Sequence, residues 1–566
     1  MVVGLFFSCS MARAQISGPG AAPVDLHDIP AGIFRVQLED LPANIRTEVL
    51  SRVAELKIPF EDFASLRVHP RGGIYYVCDL EIPGALQSDM TTPVFEGVPI
   101  FTGAVSVASP PVWHSRPGST NVLFLDFNGA VVSNTAWNSY PDFGLVSAWD
   151  CRPYSIDTND ATFSIVEQQA MRAIWERVAE DYAPFDIDVT TEQPPTWNRY
   201  TGHVLITPGF DKNGVACPHE GAGGVAFVDV FGSPAYSYDF AGESYSPAWV
   251  LNYESPIAPE YEAEAAAHEM GHNLALSHDG TKREAYYSGH ENGSISWGPI
   301  MGTGYNRNVS QWSKGDYTSA NNFEDDLAII SARLDYRSDD FADDRFTAGF
   351  LSLGPTGSVH QVGVVERNTD VDVFCFAALA GPLQIEVSPY RDQTGSTWGG
   401  NLDVVLELYD ANGVLIATNN PVLETRAELS ESIGGGVYYL HIRSTGVGDP
   451  LNKPSPNGYV QYGSLGQYAI TGSISIDPDL DGDGLPNTWE FDFFGGLTNA
   501  AAAVDVDNDG FDNLSEFISG HDPTNALSFF AITNFSATAS NGPPFILSWQ
   551  SVSGRVYGVN WSTQLT

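Results

Sequence analysis

The sequence predicts a multidomain chain: an α/β unit with a mixed, twisted sheet, then an all-β sandwich, then a small acidic module. Three observations predict it. Residues 118–338 alternate strand-like and helix-like periodicity. Residues 339–476 change to short strands of period two separated by turns, the texture of a sandwich. Residues 477–523 repeat one Asp-rich pattern. At 566 residues the chain is too long for one core. Its 43% hydrophobic content is enough to fill several.

Charge narrows the partners. Asp and Glu number 70 against 26 Lys and Arg, a net charge of -44. Such a surface repels nucleic acid and anionic lipid, and suits bound calcium or a salty medium. No stretch is apolar for long enough to span a membrane.

Taken in order, Ala12-Arg13-Ala14 follows a short apolar run and fits an A-x-A cleavage site. Residues 1–14 therefore read as a signal peptide whose start lies upstream, and the protein is expected to be secreted, extracellular. Cleavage would remove Cys9. Cys78, Cys151, Cys217 and Cys375 are too few in this length for a disulfide framework; one pair, Cys151 with Cys217, is compatible with the count. Residues 15–117 read as a small separate unit with a helix at Asn44–Leu56 and a strand at Gly73–Leu80. Ser109–Ser119 is a linker.

In the α/β unit, strands are expected at Asn121–Phe127, Phe185–Thr190, His203–Thr207 and Gly224–Val230, with an edge strand at Trp249–Tyr253. Ile165, Met171, Ile174, Trp175 and Val178 place a helix at Ser164–Tyr182. Glu260–Ala275 is rich in Ala and Glu, both good helix formers, and Asn322–Leu334 closes the unit. In the sandwich, Val371–Phe376, Leu402–Tyr409 and Val437–Ile442 alternate apolar and polar residues. The tail, 524–566, is strand-like and reads as a partial β module.

The chemistry concentrates in the segment from His268 to Asp279. On a helix, His268 and His272 share one face and can aim two imidazoles at one ion. Glu269 lies about 100° around the helix, in reach of a water at that ion but not of the ion itself. His278, six residues after His272, cannot share the face, so the helix must end and the chain turn back. Three protein ligands leave an open position, as catalytic zinc requires, with Glu269 as general base. Three His, a Glu and an Asp within this short segment are not explained by an ordinary surface helix in a chain holding 12 His.

The segment resembles the metzincin metallopeptidases, in the adamalysin/reprolysin branch, whose motif is H-E-x-x-H-x-x-G-x-x-H followed by a Met-turn. The resemblance covers 118–338 and is most specific between 268 and 305. It implies a metzincin-like α/β catalytic domain, peptide-bond hydrolysis, protein or peptide substrates and Met301 as the Met-turn residue. It also implies that Asp279 buttresses the active-site turn by hydrogen bonding. Where the family has Gly, in a left-handed turn, this chain has Ala275, at a cost of about 1–2 kcal/mol. Tyr305 is either an oxyanion donor or a packed tyrosine. His290 is a ligand to a second ion or an exposed loop His, and Glu262 and Glu264 decorate the helix. Residues 15–117 then take the place of a propeptide, and Cys78 or Asp79 becomes a latency switch plugging the zinc; a buried strand cysteine is the alternative.

Residues 339–476 resemble the bacterial pre-peptidase C-terminal domain. Asp479, Asp481, Asp483, Gly484, Leu485 and Glu490 fit the twelve-residue EF-hand loop, with Leu485 acting through its carbonyl. Asp505, Asp507, Asp509, Gly510, Phe511 and Glu516 repeat it, with Phe511 in the carbonyl role. The EF-hand-like pair resembles dockerin and thrombospondin type 3 calcium repeats and implies about two structural Ca2+ ions. The expected function is a secreted zinc endopeptidase, its C-terminal modules serving substrate binding, secretion or attachment to matrix or cell surface. The alternatives are a calcium-dependent adhesion protein with an inactive peptidase domain, and a metal hydrolase acting on sugars or esters.

Overall fold

The computed structural model describes residues 24–79, 106–139, 145–157, 159–238, 243–252, 259–293, 295–305, 307–354, 356–390, 399–476, 479–496, 498–537, 545–553 and 555–558. The expected leader at 1–14 lies outside the described residues, as does the side chain of Asp79.

The N-terminal region supplies α1 (Ile33–Asp40), α2 (Ala43–Leu56), β1 (Leu66–Val68) and β2 (Ile74–Asp79). Phe34, Leu38, Val49 and Val53, at helical spacing, close over Leu66, Tyr76 and Cys78 in a small core. The region is not the separate unit expected. β2 pairs antiparallel with a strand of the α/β unit, with Tyr76 opposite Ala226 and Cys78 opposite Gly224. Periodicity marks a strand but does not name its neighbour.

The α/β unit contains β3 (Val122–Asp126), β4 (Val131–Ser133), β5 (Ala148–Asp150), α3 (Ile165–Asp181), β6 (Asp188–Thr190), β7 (Thr201–Pro208), β8 (Ala222–Phe227), β9 (Ala248–Asn252), α4 (Pro259–Asn273), β10 (His290–Asn292), β11 (Ile295–Pro299), β12 (Val309–Gln311) and α5 (Asp326–Leu334). Seven strands form one mixed sheet in the order β1-β2-β8-β9-β7-β3-β6. Neighbours from β9 to β6 are parallel, and those from β9 to β1 antiparallel. The expected edge strand, β9, is instead the middle strand. Trp249, Val250 and Leu251 are all buried, the signature of an interior strand. α3 opens on a capping box, Glu167 N–H donating to Ser164 Oγ and Ser164 N–H to Glu167 Oε2. α5 starts later than expected, because Asp325 caps it through Ala328 N–H (3.0 Å) and residues 322–324 are used elsewhere.

The sandwich comprises β13 (Gly349–Phe350), β14 (Ser358–Val365), β15 (Val371–Ala378), β16 (Gly381–Pro389), β17 (Val404–Asp410), β18 (Leu415–Asn419), β19 (Ala427–Ile433), β20 (Gly436–Ser444), β21 (Val447–Asp449), β22 (Asn457–Tyr459) and β23 (Gly466–Ile474). One sheet runs β13-β15-β20-β17-β18, the other β14-β23-β16-β19. Alternate residues Phe374 and Phe376, Leu406 and Leu408, and Leu440 and Ile442 are buried with Ile385, Val387, Leu429 and Ile470 of the second sheet. Beyond it lie α6 (Asn487–Phe494), α7 (Asn513–Ser519) and a hairpin of β24 (Ile532–Ala537) and β25 (Phe545–Trp549). No described helix is long and apolar enough to cross a membrane.

The sandwich is not loosely appended. Its core and that of the α/β unit are continuous. Gly399 N–H donates to Asn308 O (3.0 Å), Gln311 Nε2 to Asn401 O (2.6 Å), and Asn401 Nδ2 to the buried Asp181 carboxylate (3.2 Å). Asn401→Ala strips that donor from a buried carboxyl, which should cost about 1–3 kcal/mol. The expected result is a lower Tm for the whole chain in a calorimetric melt; an unchanged catalytic-unit transition would show the two units melting independently.

Candidate metal centre and active site

α4 holds the chemistry, and every residue in it except Glu260 is buried. His268 Nδ1 donates to Ile300 O (2.9 Å) and His272 Nδ1 to Leu276 O (2.8 Å). A carbonyl only accepts, so these bonds place the protons on Nδ1 and leave both Nε2 lone pairs free for a metal. The helix then ends in a Schellman turn. Ala275 N–H donates to His272 O (2.9 Å) and Leu276 N–H to Gly271 O (3.0 Å), with Ala275 at φ 81°. Ala275 thus adopts the left-handed conformation that its place in the sequence implied. The turn is clamped from residues 322–324: Glu324 accepts from Ser277 N–H and Oγ (3.0 and 3.1 Å), and Asn322 donates to His278 O (3.1 Å).

This turn brings His278 back to the other two. Cys78 Sγ lies 3.7 Å from His268 Nε2, and 3.4 Å from both His272 Nε2 and His278 Nε2. All four ligand atoms lie within 4.8 Å of one another. A tetrahedral zinc at about 2.1 Å from each nitrogen and about 2.3 Å from sulfur would separate S from N by about 3.6 Å. The donor set and its spacing therefore fit a zinc ion. Burial pushes His268 down to about 4 and drives His272 and His278 well below their usual range, which keeps all three neutral, as ligands must be. Burial, reinforced by the Glu269 carboxylate, pushes the Cys78 thiol up, so it ionises there only against a cation.

The remaining predicted residues fall around this point. Glu269 lies against the Cys78 thiol, its Oε2 accepting no hydrogen bond, and burial raises its carboxyl well above the usual range. The strand opposite makes room for it: a methyl group at Gly224 would overlap the Glu269 carboxylate. Met301 is fully buried beneath the helix, and a Cβ at Gly271 would come within 2.5 Å of its Sδ. Asp279 donates its N–H to Met301 O (2.8 Å), joining the two turns through backbone. Its carboxyl is buried with Oδ2 unbonded; the side-chain bonds that clamp the turn come from Glu324 and Asn322. Tyr305 is buried against Tyr261, with ring centroids 5.3 Å apart.

Three neighbours were not singled out from the sequence. Tyr286 packs on His278 (centroids 4.3 Å), and its hydroxyl is buried without a hydrogen-bond partner. Its nearness to His278 along the chain was the only available signal. Tyr76 stacks on His272 (4.1 Å, 19°) and donates to Asp62 Oδ2 (2.8 Å). Asp62 Oδ2 also accepts from His278 N–H (3.0 Å) and lies 3.5 Å from His278 Nδ1. Neither Asp62 nor Tyr76 belongs to a local motif.

Three secondary expectations are corrected. His290 is neither a ligand nor an exposed loop His: it is buried in β10, with Tyr287 Oη and Gly458 O at its ring nitrogens (2.8 and 2.6 Å). Glu262 and Glu264 are not decoration. Glu264 is a buried partner of Arg177 and of Ser310 Oγ (2.8 Å), and burial pushes Glu262 up to about 8. Cys151 and Cys217 are buried free thiols in contact with each other.

Each acidic repeat folds into a compact loop. Asp479 accepts from Gly482, Asp483 and Gly484 N–H (2.8–3.1 Å), and Asp483 Oδ1 from Leu485 N–H (2.9 Å). Asp505 accepts from Asp509 and Gly510 N–H (3.2 and 2.9 Å), and Asp509 Oδ1 from Phe511 N–H (2.9 Å). Gly484 and Gly510 take φ 98° and 99°, a turn that only glycine makes without strain. Carboxylate oxygens of Asp479, Asp481 and Asp483, and of Asp505, Asp507 and Asp509, lie within 4.8 Å of one another. Glu490 and Glu516 are buried at the loop ends with unbonded oxygens and are pushed up to about 7, chiefly by burial.

Residues 176–279 match the family described as Metallo-peptidase family M12B Reprolysin-like. The match takes in His268, Glu269, His272 and His278, and supports a metalloprotease that uses zinc and acts on proteins or peptides. No curated protein matches the chain. Among solved structures, the pre-peptidase C-terminal domain of a Bacillus anthracis collagenase is 15% identical, covering 24% of this chain and 98% of its own, at TM-score 0.16. The Aeromonas hydrophila PliG, a periplasmic inhibitor of g-type lysozyme, is 12% identical over 23% of this chain and 96% of its own, also at 0.16. At these scores neither likeness bears on fold or function.

Gly224→Ala should push the Glu269 carboxylate aside without touching the imidazoles. A displacement of about 1 Å is expected to lower kcat roughly 100-fold while bound zinc is unchanged. Undiminished turnover would show that Glu269 does not depend on this gap.

Proposed function

We propose that this chain is a secreted zinc endopeptidase made in a latent form. His268, His272 and His278 are the zinc ligands, Glu269 is the general base, and Cys78 closes the fourth position until residues 15–117 are removed. The convergence of three Nε2 atoms on Cys78 Sγ carries this reading. Zinc bound there supplies a Lewis acid for the scissile carbonyl and makes water more acidic. Glu269 takes a proton from that water and delivers it to the leaving amine. Tyr286, packed on His278 with its hydroxyl buried and unpartnered, would donate to the substrate's carbonyl oxygen. Tyr305 stays in reserve as a packed residue.

Substrate recognition follows from the sheet. β2 runs antiparallel along β8 and lays Cys78 over the ligands. An extended peptide in the same place would pair with β8 through its backbone, with side chains choosing among sequences. Calcium in the loops 479–490 and 505–516 stiffens the C-terminal module, which serves attachment to matrix or cell surface. The inactive adhesion reading is not favoured, since Glu269 is intact with a free oxygen at the site.

The decisive experiment removes residues 15–117 by proteolysis. The trimmed chain should cleave casein, whereas the full chain, with β2 still seated along β8, stays silent. In the trimmed chain Glu269→Gln should lower kcat by about 10²–10⁴ while holding about one zinc per chain. A trimmed chain that binds zinc but stays silent, or a full chain as active as the trimmed one, would overturn the latent form, and absence of zinc would overturn the ligand set.

Tyr286→Phe should lower kcat about 10²–10³-fold with little change in KM, because its hydroxyl bonds a charge that develops only in the transition state. Loss through KM alone would assign Tyr286 to ground-state binding.

A further inference from the structure

β2 lies along β8 beside the metal centre, and one of its side chains is buried in a pocket that the α/β unit supplies. We infer that this pocket, built by Trp137, Phe227 and His219, is a specificity subsite for an aromatic side chain, tyrosine above all, on the amino side of the scissile bond. The inference deepens the peptidase reading and rests on its placing of substrate along β8.

The present occupant is Tyr75. It is 1% exposed, and its ring meets Trp137 edge-on (centroids 5.4 Å, 82°), Phe227 at 5.3 Å and His219 at 5.7 Å. Its hydroxyl is hydrogen-bonded to His219 Nε2 (3.3 Å). Apolar walls with one polar group at the hydroxyl match a phenol. Burial of the ring supplies binding, and the hydrogen bond favours tyrosine over phenylalanine.

Alternation along β2 explains why the pocket belongs to the α/β unit. Tyr76 and Cys78 face the N-terminal core and the metal ligands, whereas Tyr75 and Val77 face the core of the α/β unit. The walls are held without β2. Trp137 Nε1 donates to Pro247 O (2.9 Å), and Ala136 N–H to Ser244 O (2.8 Å). Trp137 also packs on Phe227 (4.3 Å), the last residue of β8, and β8 is itself paired with β9 through Val225. Departure of β2 therefore leaves a formed pocket open to an incoming chain.

Register ties the pocket to the chemistry. Tyr75 pairs with Phe227 and Cys78 with Gly224, so pocket and metal centre are three residues apart along one strand. At about 3.3 Å per residue, that is about 10 Å. A peptide running along β8 as β2 does, with its scissile carbonyl at the metal, places the side chain about three residues earlier in the pocket. Tyr75 thus shows which side chain the catalytic unit accepts there.

The test starts from the folded full chain, processed to remove residues 15–117 and loaded with zinc. Binding is read first, by titration calorimetry with the peptide of residues 73–79 and its Tyr75→Ala and Tyr75→Phe forms. Alanine should weaken binding at least about tenfold, and phenylalanine about two- to tenfold. Cleavage is read next, on peptides identical except for one tyrosine moved stepwise along the amino side of the scissile bond. Tyrosine about three residues before that bond should raise kcat/KM at least about tenfold over alanine there. His219→Phe should erase the preference for tyrosine over phenylalanine, keep that for phenylalanine over alanine, and leave the zinc content unchanged. Equal binding of the Tyr75 and Tyr75→Ala peptides, or cleavage indifferent to tyrosine at every position, would overturn the subsite. A processed chain that distinguishes the two peptides in binding yet cleaves none would instead overturn the peptidase reading, with the aromatic pocket upheld.

Discussion

A helix buried on nearly every side is the constraint from which the rest follows. α4 hides fourteen of its fifteen residues, and six of those are polar: Glu262, Glu264, His268, Glu269, His272 and Asn273. Each would cost several kcal/mol if left unpaired in the interior. Each finds a partner on a different element. Asn252 on β9 meets Glu262, Arg177 on α3 meets Glu264, Ile300 meets His268, and Leu276 past the helix end meets His272. Asn273 bonds Phe227 O and Tyr236 Oη, and Glu269 meets Cys78 on β2. The Ala-rich stretch between them lets neighbours approach closely enough for this. The fold around the site is thus set by six polar demands, and two of the candidate metal ligands are among them.

What could be read from sequence divides along the same line. The ligand helix and the return of His278 are local. They depend on helix geometry and spacing, which a sequence displays. The left-handed residue at 275 and the placement of Met301 were legible only through the resemblance to the metzincins. β9 was mistaken for an edge because its short run carries no sign of the strands on either side. Asp62, Tyr76 and Tyr286 were invisible for the same reason: they reach the site through pairing across 190 residues or more, or through a loop without period. Cys78 was visible as a candidate only, since nothing local says which way a strand cysteine points.

The two regions flanking the catalytic unit are attached in physically different ways. The sandwich shares its apolar core with the α/β unit and shares buried hydrogen bonds at Asp181 and Gln311. Separating them would expose the interior of both. The N-terminal region has a core of its own, to which Val228 alone is contributed from the α/β unit. It is held by strand pairing, by Arg52 donating to Val228 O (3.2 Å), and by contacts at the metal centre. Strand pairing at a sheet edge can be replaced by another extended chain, while a shared core cannot.

That replaceable region also completes the site it covers. His268 and His272 have backbone acceptors from the α/β unit, but His278 Nδ1 has no hydrogen-bond partner and lies 3.5 Å from Asp62 Oδ2, which holds the His278 backbone N–H instead, and the ring that stacks on His272 is Tyr76. The third ligand is therefore oriented partly from outside the catalytic unit. A metal entering such a site meets three converging imidazoles and a thiol whose ionisation it alone makes favourable. Metal, thiol and N-terminal region would then stabilise one another: the thiolate needs the ion, and its place beside the ion needs β2 seated along β8. Loss of the whole N-terminal region would remove the Cys78 thiol on β2 and the Asp62 carboxylate before β1 together, so the open site would differ from the closed one in its ligand support as well as in its access.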